Sequence, residues 1–315
     1  MTTKAKSNEI KLTRVYDAPV RAVWDAWTDP EQVAKWWGPR GFTITTRRKD
    51  LRVGGHWSYT MHGPDGTDYE NTTHYFEVEE CAKLVYDHGG HKDRPPLFRV
   101  TALFRETAGK TTLDMTMALA TPEAAEEIKK FIKMAGGNST WDRLAEYLEK
   151  EDSGKEKFVI NRTFEASRDV VFAMWTDPAH VAKWLPPTGF TMEFRRADIR
   201  PGGSSFYLMT NGEMTMYGRA EYLEIQPPER LVYTQQFSDE NEGIGRHPMA
   251  PVWPETMLTT VLFVPEGPGA TRVTVTWEPY GPATAEEIAV FVKARGGMTM
   301  GWTGSFDKLE EVLGS

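Results

Sequence analysis

Five of the seven histidines, His56, His62, His74, His88 and His91, fall in the first half of this 315-residue chain. His88 and His91, with Asp87 and Asp93 alongside, have the donor types of a divalent-metal site. The pair lies beside Gly89-Gly90 and just before Pro95-Pro96, so the reading is a solvated loop, and no metal is expected. The single cysteine, Cys81, excludes an internal disulfide and a thiolate cage, and Glu79-Glu80 beside it disfavour a thiolate. Gly109-Lys110-Thr111 has the tail of a phosphate-binding loop, but Phe104 stands where the first glycine is required. No His-Glu-x-x-His, Gly-x-Ser-x-Gly or Gly-x-Gly-x-x-Gly run is present. No catalytic residue is therefore assigned, no cofactor is expected, and the chain reads as a binder rather than an enzyme.

A second set of chemically capable residues is charged. Arg48, Asp50 and Arg52 follow Phe42 and Ile44 at two-residue steps, and Arg196, Asp198 and Arg200 repeat the pattern in the second half. Arg14 and Arg162 share parity with the apolar residues of their own strands. A buried charge is costly unless paired. Arg14, Arg48, Asp50, Arg162, Arg196 and Asp198 are accordingly expected to form a paired network at one end of an interior, or to anchor a ligand carboxylate.

The elements that would position these groups come in duplicate. Ile10 aligns with Phe158 at an offset of 148 that holds for about sixty residues. Trp27-Thr28-Asp29-Pro30 meets Trp175-Thr176-Asp177-Pro178, Gly54-Gly55 meets Gly202-Gly203, and Glu126-Glu127-Ile128 meets Glu286-Glu287-Ile288. Each copy reads as a strand, two short helices, about six strands and one long helix, an α+β order. Leu113, Met115, Met117 and Leu119 alternate with polar residues, so that strand buries one face and needs a cover, which only the long C-terminal helix is large enough to supply. The predicted domains are 1–150 and 155–315, each expected to fold alone, with a charged, exposed linker from Lys150 to Lys157.

Composition sets the outer limits. Net charge is −8, and residues 151–315 account for all of it, because residues 1–150 hold equal numbers of acidic and basic side chains. Without a basic stripe, nucleic acid is not an expected partner. No apolar run approaches the roughly 18 residues of a membrane span, and the polar start carries no signal peptide, so a cytoplasmic protein is expected.

The runs RVYDAPVRAVWDAWTDPEQVAKWWGPRGFTI, DLRVGGHWSYTMHGPDGTDY and WDRLAEYL resemble the activator of heat-shock protein 90 ATPase homologue-like family, within the START-like (helix-grip, SRPBCC) superfamily. RTFEASRDVVFAMWTDPAHVAKWLPPTGFTM, DIRPGGSSFYLM and FDKLEEVL carry the same resemblance in the second copy. The resemblance implies tandem helix-grip domains, each an antiparallel sheet wrapped around a long C-terminal helix, with a cavity between the two. By strand parity, Phe42, Trp57, Tyr59, Met61, Met115 and Met117 face that space in copy one. Phe190, Met192, Ser205, Tyr207, Met209 and Trp277 face it in copy two. Trp36, Phe131, Trp184, Trp253 and Phe291 complete the candidate ligand-binding set.

The function this supports is non-catalytic binding of a small, largely apolar molecule in one or both cavities. The alternatives are a co-chaperone-like interaction module of the stress response, and a cyclase or hydrolase using one cavity His, Asp or Glu. A monomer whose two domains form a pseudo-dimeric pair is expected, with no membrane association. Ser205 stands where copy one has Trp57, and the loop from Phe237 to Thr256, with His247, Met249 and Trp253, is longer than its counterpart. Copy two is therefore expected to hold the larger cavity, under a stiffened lid.

Overall fold

Strand β1 (Glu9–Tyr16) stops before Ala18-Pro19, and Pro19 occupies the N-cap of α1 (Val20–Thr28). Asp29 then caps α2 (Pro30–Val33), accepting hydrogen bonds from the amides of Glu31 and Gln32 ahead of a proline suited to the first turn. Six strands follow: β2 (Thr43–Lys49), β3 (His56–His62), β4 (Asp68–Glu79), β5 (Lys83–Gly90), β6 (Phe98–Thr107) and β7 (Lys110–Ala118). They close with β1 into one antiparallel sheet of order β1-β7-β6-β5-β4-β3-β2. The computed structural model describes residues 7–90, 94–134, 139–153, 157–246, 250–266 and 269–314, with the side chains of 131–134 and 150–153 outside the description. Within those limits the covering helix of the first copy is two helices, α3 (Pro122–Met134) and α4 (Ser139–Ser153).

The second copy repeats the plan. Its elements are β8 (Phe158–Phe164), α5 (Arg168–Thr176), α6 (Pro178–Trp184), β9 (Thr191–Ala197), β10 (Ser204–Thr210), β11 (Thr215–Gln226), β12 (Arg230–Ser238), β13 (Met257–Pro265), β14 (Thr271–Pro279) and α7 (Ala285–Leu313). The sheet order is β8-β14-β13-β12-β11-β10-β9. Thr284 and Glu287 form a capping box at the start of α7, which runs without interruption through Gly296-Gly297. The chain divides into two compact units, Met1–Asp152 and Ser153–Ser315. Lys150–Ser153, expected in the linker, instead extend α4, as their helix-favouring Lys and Glu permit.

One irregularity recurs in both units. In β2, Thr46 pairs with Tyr59 and Arg48 with Ser58, so Arg47 is an extra residue. In β9, Phe194 pairs with Tyr207 and Arg196 with Phe206, which makes Arg195 the extra one. Such a bulge switches the faces of every residue after it. The following turn is also shared. A Cβ on Gly55 or Gly203 would stand 2.2 Å from the carbonyl oxygen of Asp50 or Asp198, so only glycine fits there.

Each helix is pinned to the loop after its unit's short helices. In unit one the half-buried Arg143 guanidinium donates through Nη1 to the carbonyl oxygens of Gly38, Pro39 and Phe42 at 2.8, 2.9 and 3.0 Å. Burial, with Arg40 nearby, pulls its pKa down to about 10. Beside it, Arg40 makes a bidentate pair with Glu146. In unit two the aligned Lys308 donates to the Pro186 carbonyl.

Candidate functional site

The two interiors have diverged at facing positions. In unit one Trp57 stacks on Tyr59 at 4.1 Å between ring centroids, and Trp37 packs edge-on to Trp57 at 5.2 Å and near Trp141 at 6.0 Å. The Trp37 Nε1 donates to the Tyr59 hydroxyl at 3.1 Å. Trp57, Tyr59, Met115 and Met117 are all buried, so the space facing α4 is occupied by side chains. In unit two Leu185 stands at the position of Trp37, Ser205 at that of Trp57, Gln235 at that of His88 and Gly218 at that of Asn71. Three of these exchanges replace a ring with a smaller side chain.

A cavity of about 490 Å³ lies inside unit two, bordered by Leu185, Gly218 and Gln235 among these four positions. Tyr207, Met209, Trp253 and Trp277, all candidates from the sequence, line it. The Tyr207 ring lies flat over Gly218, where an added Cβ would stand 2.6 Å from its hydroxyl oxygen. Burial pushes that phenol up to about 12, so it is a neutral donor at neutral pH. One face of α7 forms the opposite wall: Ala294, Gly297, Met298, Gly301, Trp302 and Ser305, at helical spacing. A Cβ added at Gly297 or Gly301 would meet nothing within 4 Å. Phe237 near the end of β12, with Trp253 and Pro254 from the loop between β12 and β13, contributes to the wall. That loop is fastened to α7 by Arg246, whose Nη1 donates to the Trp253 carbonyl and to Glu287 Oε1, each at 2.7 Å. The lid residues His247 and Met249 lie outside the described residues.

The other candidates fall elsewhere. Ser205, Trp184 and Met192 border a second space of only about 40 Å³, with Ser205 hydrogen-bonded to the Tyr222 hydroxyl at 3.1 Å. Trp36 and Trp184 are fully buried, and their indole N–H groups donate to the carbonyls of Ala26 and Met174 at 2.9 and 2.8 Å, which makes them structural. Phe291 is buried against Trp253, while Phe190 borders neither space. In unit one Phe42 packs on Tyr69, and Met61 approaches Gly38. The side chain of Phe131 lies outside the described residues.

The polar network at a cavity end is not formed, and the bulge explains most of the difference. It turns Arg48 and Arg196 outward, where their side chains are 64% and 46% exposed. Arg48 pairs with Asp50, Arg200 with Asp198, and Arg196 with Glu242. Arg162 fastens β8 to α7 through Asp307 and Glu310, at 2.5 and 3.6 Å. Arg14 is buried, with Nη1 donating to the Thr13 carbonyl. None of the six lines the cavity.

His88, read from the sequence as part of a solvated loop, belongs instead to β5, opposite Phe98, and stacks on that ring at 5.0 Å. His91 lies outside the described residues. No group of three or more His, Cys, Asp or Glu among the described residues is placed to hold a metal. Burial, with Arg94 nearby, pulls the His88 imidazole down to about 4. The unfolded chain takes up this proton near pH 6.5, while the folded state refuses it until about pH 4. Stability from this group is therefore complete above pH 6.5 and is lost as pH falls toward 4, by up to about 3 kcal/mol. Urea midpoints at pH 7 and pH 4.5 are expected to converge in His88→Gln, which installs the residue that unit two has at this position. An unchanged pH dependence would refute the assignment. Cys81 sits in the β4–β5 turn with its thiol held above the ordinary range by desolvation, against the opposing pull of Arg21.

Both halves match the family described as Activator of Hsp90 ATPase homolog 1-like protein, over residues 17–149 and 165–314. No curated protein matches the sequence. Among solved structures, a protein of Nitrosomonas europaea is similar at 25% identity over 48% of this chain and 99% of its own, with a TM-score of 0.43. One from Chromobacterium violaceum is similar at 26% identity over 50% of this chain and 96% of its own, with a TM-score of 0.39. The di-domain ARO/CYC BexL from the BE-7585A biosynthetic pathway aligns over 96% of this chain and 97% of its own, at 14% identity and a TM-score of 0.40. No helix among the described residues is long and apolar enough to cross a membrane.

Proposed function

For a chain that belongs through both halves to the Activator of Hsp90 ATPase homolog 1-like family, we propose that unit two binds a small, largely apolar ligand between its sheet and α7, while unit one is a packed companion. The cavity of about 490 Å³ carries this reading. Its size falls within the range of small-molecule sites, and its walls have the composition of one, mostly aromatic and methionine with a few polar groups. Its wall of small residues on α7 supports the same reading. Glycine in mid-helix costs about 1 kcal/mol relative to alanine, and Gly297 and Gly301 have no neighbour that forbids a side chain. Room for a guest accounts for both.

Titration of the intact protein with the neutral fluorophore N-phenyl-1-naphthylamine tests the proposal. Trp253, Trp277 and Trp302 line the cavity and should transfer excitation energy to a bound probe. Saturation at one probe per chain is the expected result. Absence of saturable binding, or two equivalent sites per chain, would overturn it.

A further inference from the structure

The cavity's charge pattern carries an inference about what enters it, one that rests on the reading of unit two as a ligand site. Among the described residues that line the cavity there is no arginine, lysine or histidine, and Glu255 is the one charged side chain. Glu255 is half exposed, which places its carboxylate at the rim. The neighbouring Arg246 pairs with it at 3.8 Å and offsets it only in part. Its Nη1 is committed to the Trp253 carbonyl and Glu287, while Nη2 stands 3.8 Å from Glu255, beyond hydrogen-bonding distance. Two carboxylates thus share one guanidinium, leaving a net negative charge among the described side chains of this group.

The interior has the same preference. Seven of the lining residues are aromatic, among them Trp253, Trp277 and Trp302, and their ring faces attract cations. Four methionines, Met209, Met216, Met257 and Met298, add polarizable thioether surface. An anion entering this space would lose its hydration and gain at most neutral donors, such as the Tyr207 hydroxyl and the Gln235 amide. These do not offset a desolvated carboxylate. At longer range, residues 151–315 carry the whole net charge of −8, so the field around unit two also favours cations.

We propose that the unit-two cavity selects lipophilic cations, an apolar body bearing an ammonium group, over neutral and anionic molecules of the same shape. The body lies among the aromatic and methionine side chains, and the ammonium lies toward Glu255, where it keeps part of its hydration.

Three anthracenes that differ only in the group on carbon 9 test this on the intact protein: the aminomethyl compound, the hydroxymethyl compound and the carboxylate. Anthracene fluorescence anisotropy at pH 7 and low salt reads their affinities. The ammonium is expected to bind at least tenfold more tightly than the alcohol, and the carboxylate most weakly. Glu255→Gln is expected to weaken binding of the ammonium several-fold more than binding of the alcohol, and added salt should act in the same direction. If the alcohol or the carboxylate binds as well as the ammonium, charge selection is wrong and the ligand site stands. The same holds if Glu255→Gln leaves the preference intact. If none of the three binds, the cavity reading itself fails and this inference with it. Ammonium binding that survives Gly301→Leu would place the probe outside the cavity and overturn both.

Discussion

Leucine in place of Gly301 is expected to abolish ligand binding while leaving unit two as stable as before, or more so. Gly301 lies near the middle of α7, where leucine is a far better helix former than glycine, by somewhat under 1 kcal/mol. Nothing lies within 4 Å of the Cβ it would carry, so the change does not strain the backbone or the sheet opposite. The new side chain enters the space between Trp302, Met298 and the far wall, gaining apolar contacts where an occupant would lie. Overlap with a guest should cost at least about 2–3 kcal/mol of binding, roughly a hundredfold in affinity. A probe titration and a thermal melt on the same sample separate the effects. Affinity and melting temperature falling together would mean that Gly301 is needed for folding. An unchanged affinity would mean that it does not face the site.

The opposite behaviour is expected of Trp57→Ala in unit one, where the change should register in stability. Trp57 is 1% exposed. It stacks on Tyr59, meets Trp37, donates from Nε1 to the Thr46 hydroxyl at 3.1 Å and carries the Lys49 ammonium over its face at 4.0 Å. Truncation to alanine opens a void among rings too large to collapse into it, a change that costs about 3–5 kcal/mol in well-packed cores. Chemical denaturation of the intact protein, with unit one followed by its own unfolding transition, gives the value. A loss below about 1 kcal/mol, or an apolar probe that binds the unmutated unit one, would show that this interior is not filled.

Much of the fold was legible because its signals are local. The Asp29-Pro30 and Thr284–Glu287 caps, the alternation of Leu113, Met115 and Met117, and the exact recurrence of Trp27-Thr28-Asp29-Pro30 each need only a short window. Inward parity placed Tyr207, Met209 and Trp277 in the cavity wall for the same reason. Parity failed at Arg48 and Arg196, because one extra residue at Arg47 or Arg195 reverses every later face and leaves no mark in composition. His88 was assigned to a loop because Gly89-Gly90 outweighed a strand that continues to Gly90. The wall of α7 was missed in part. Gly296-Gly297 aligns with Gly136-Gly137 of copy one, but Gly301 sits in a stretch that copy one lacks and has no aligned partner to expose it. Comparing the copies for ring-to-small exchanges at Trp37 and Leu185, or His88 and Gln235, would have found more of the site than parity did.

If unit two alone takes up the ligand, as proposed, the chain contains its own unliganded reference in a second unit of the same plan. A ligand at a hundred times its dissociation constant adds about 2.7 kcal/mol to the unit that binds it and nothing to the other. Whatever order the two units follow on heating in the empty protein, occupancy moves only one of them, by several degrees for a unit of this size. At a fixed pH above 6.5, where the His88 contribution of unit one is constant, the interval between the two events then measures ligand occupancy.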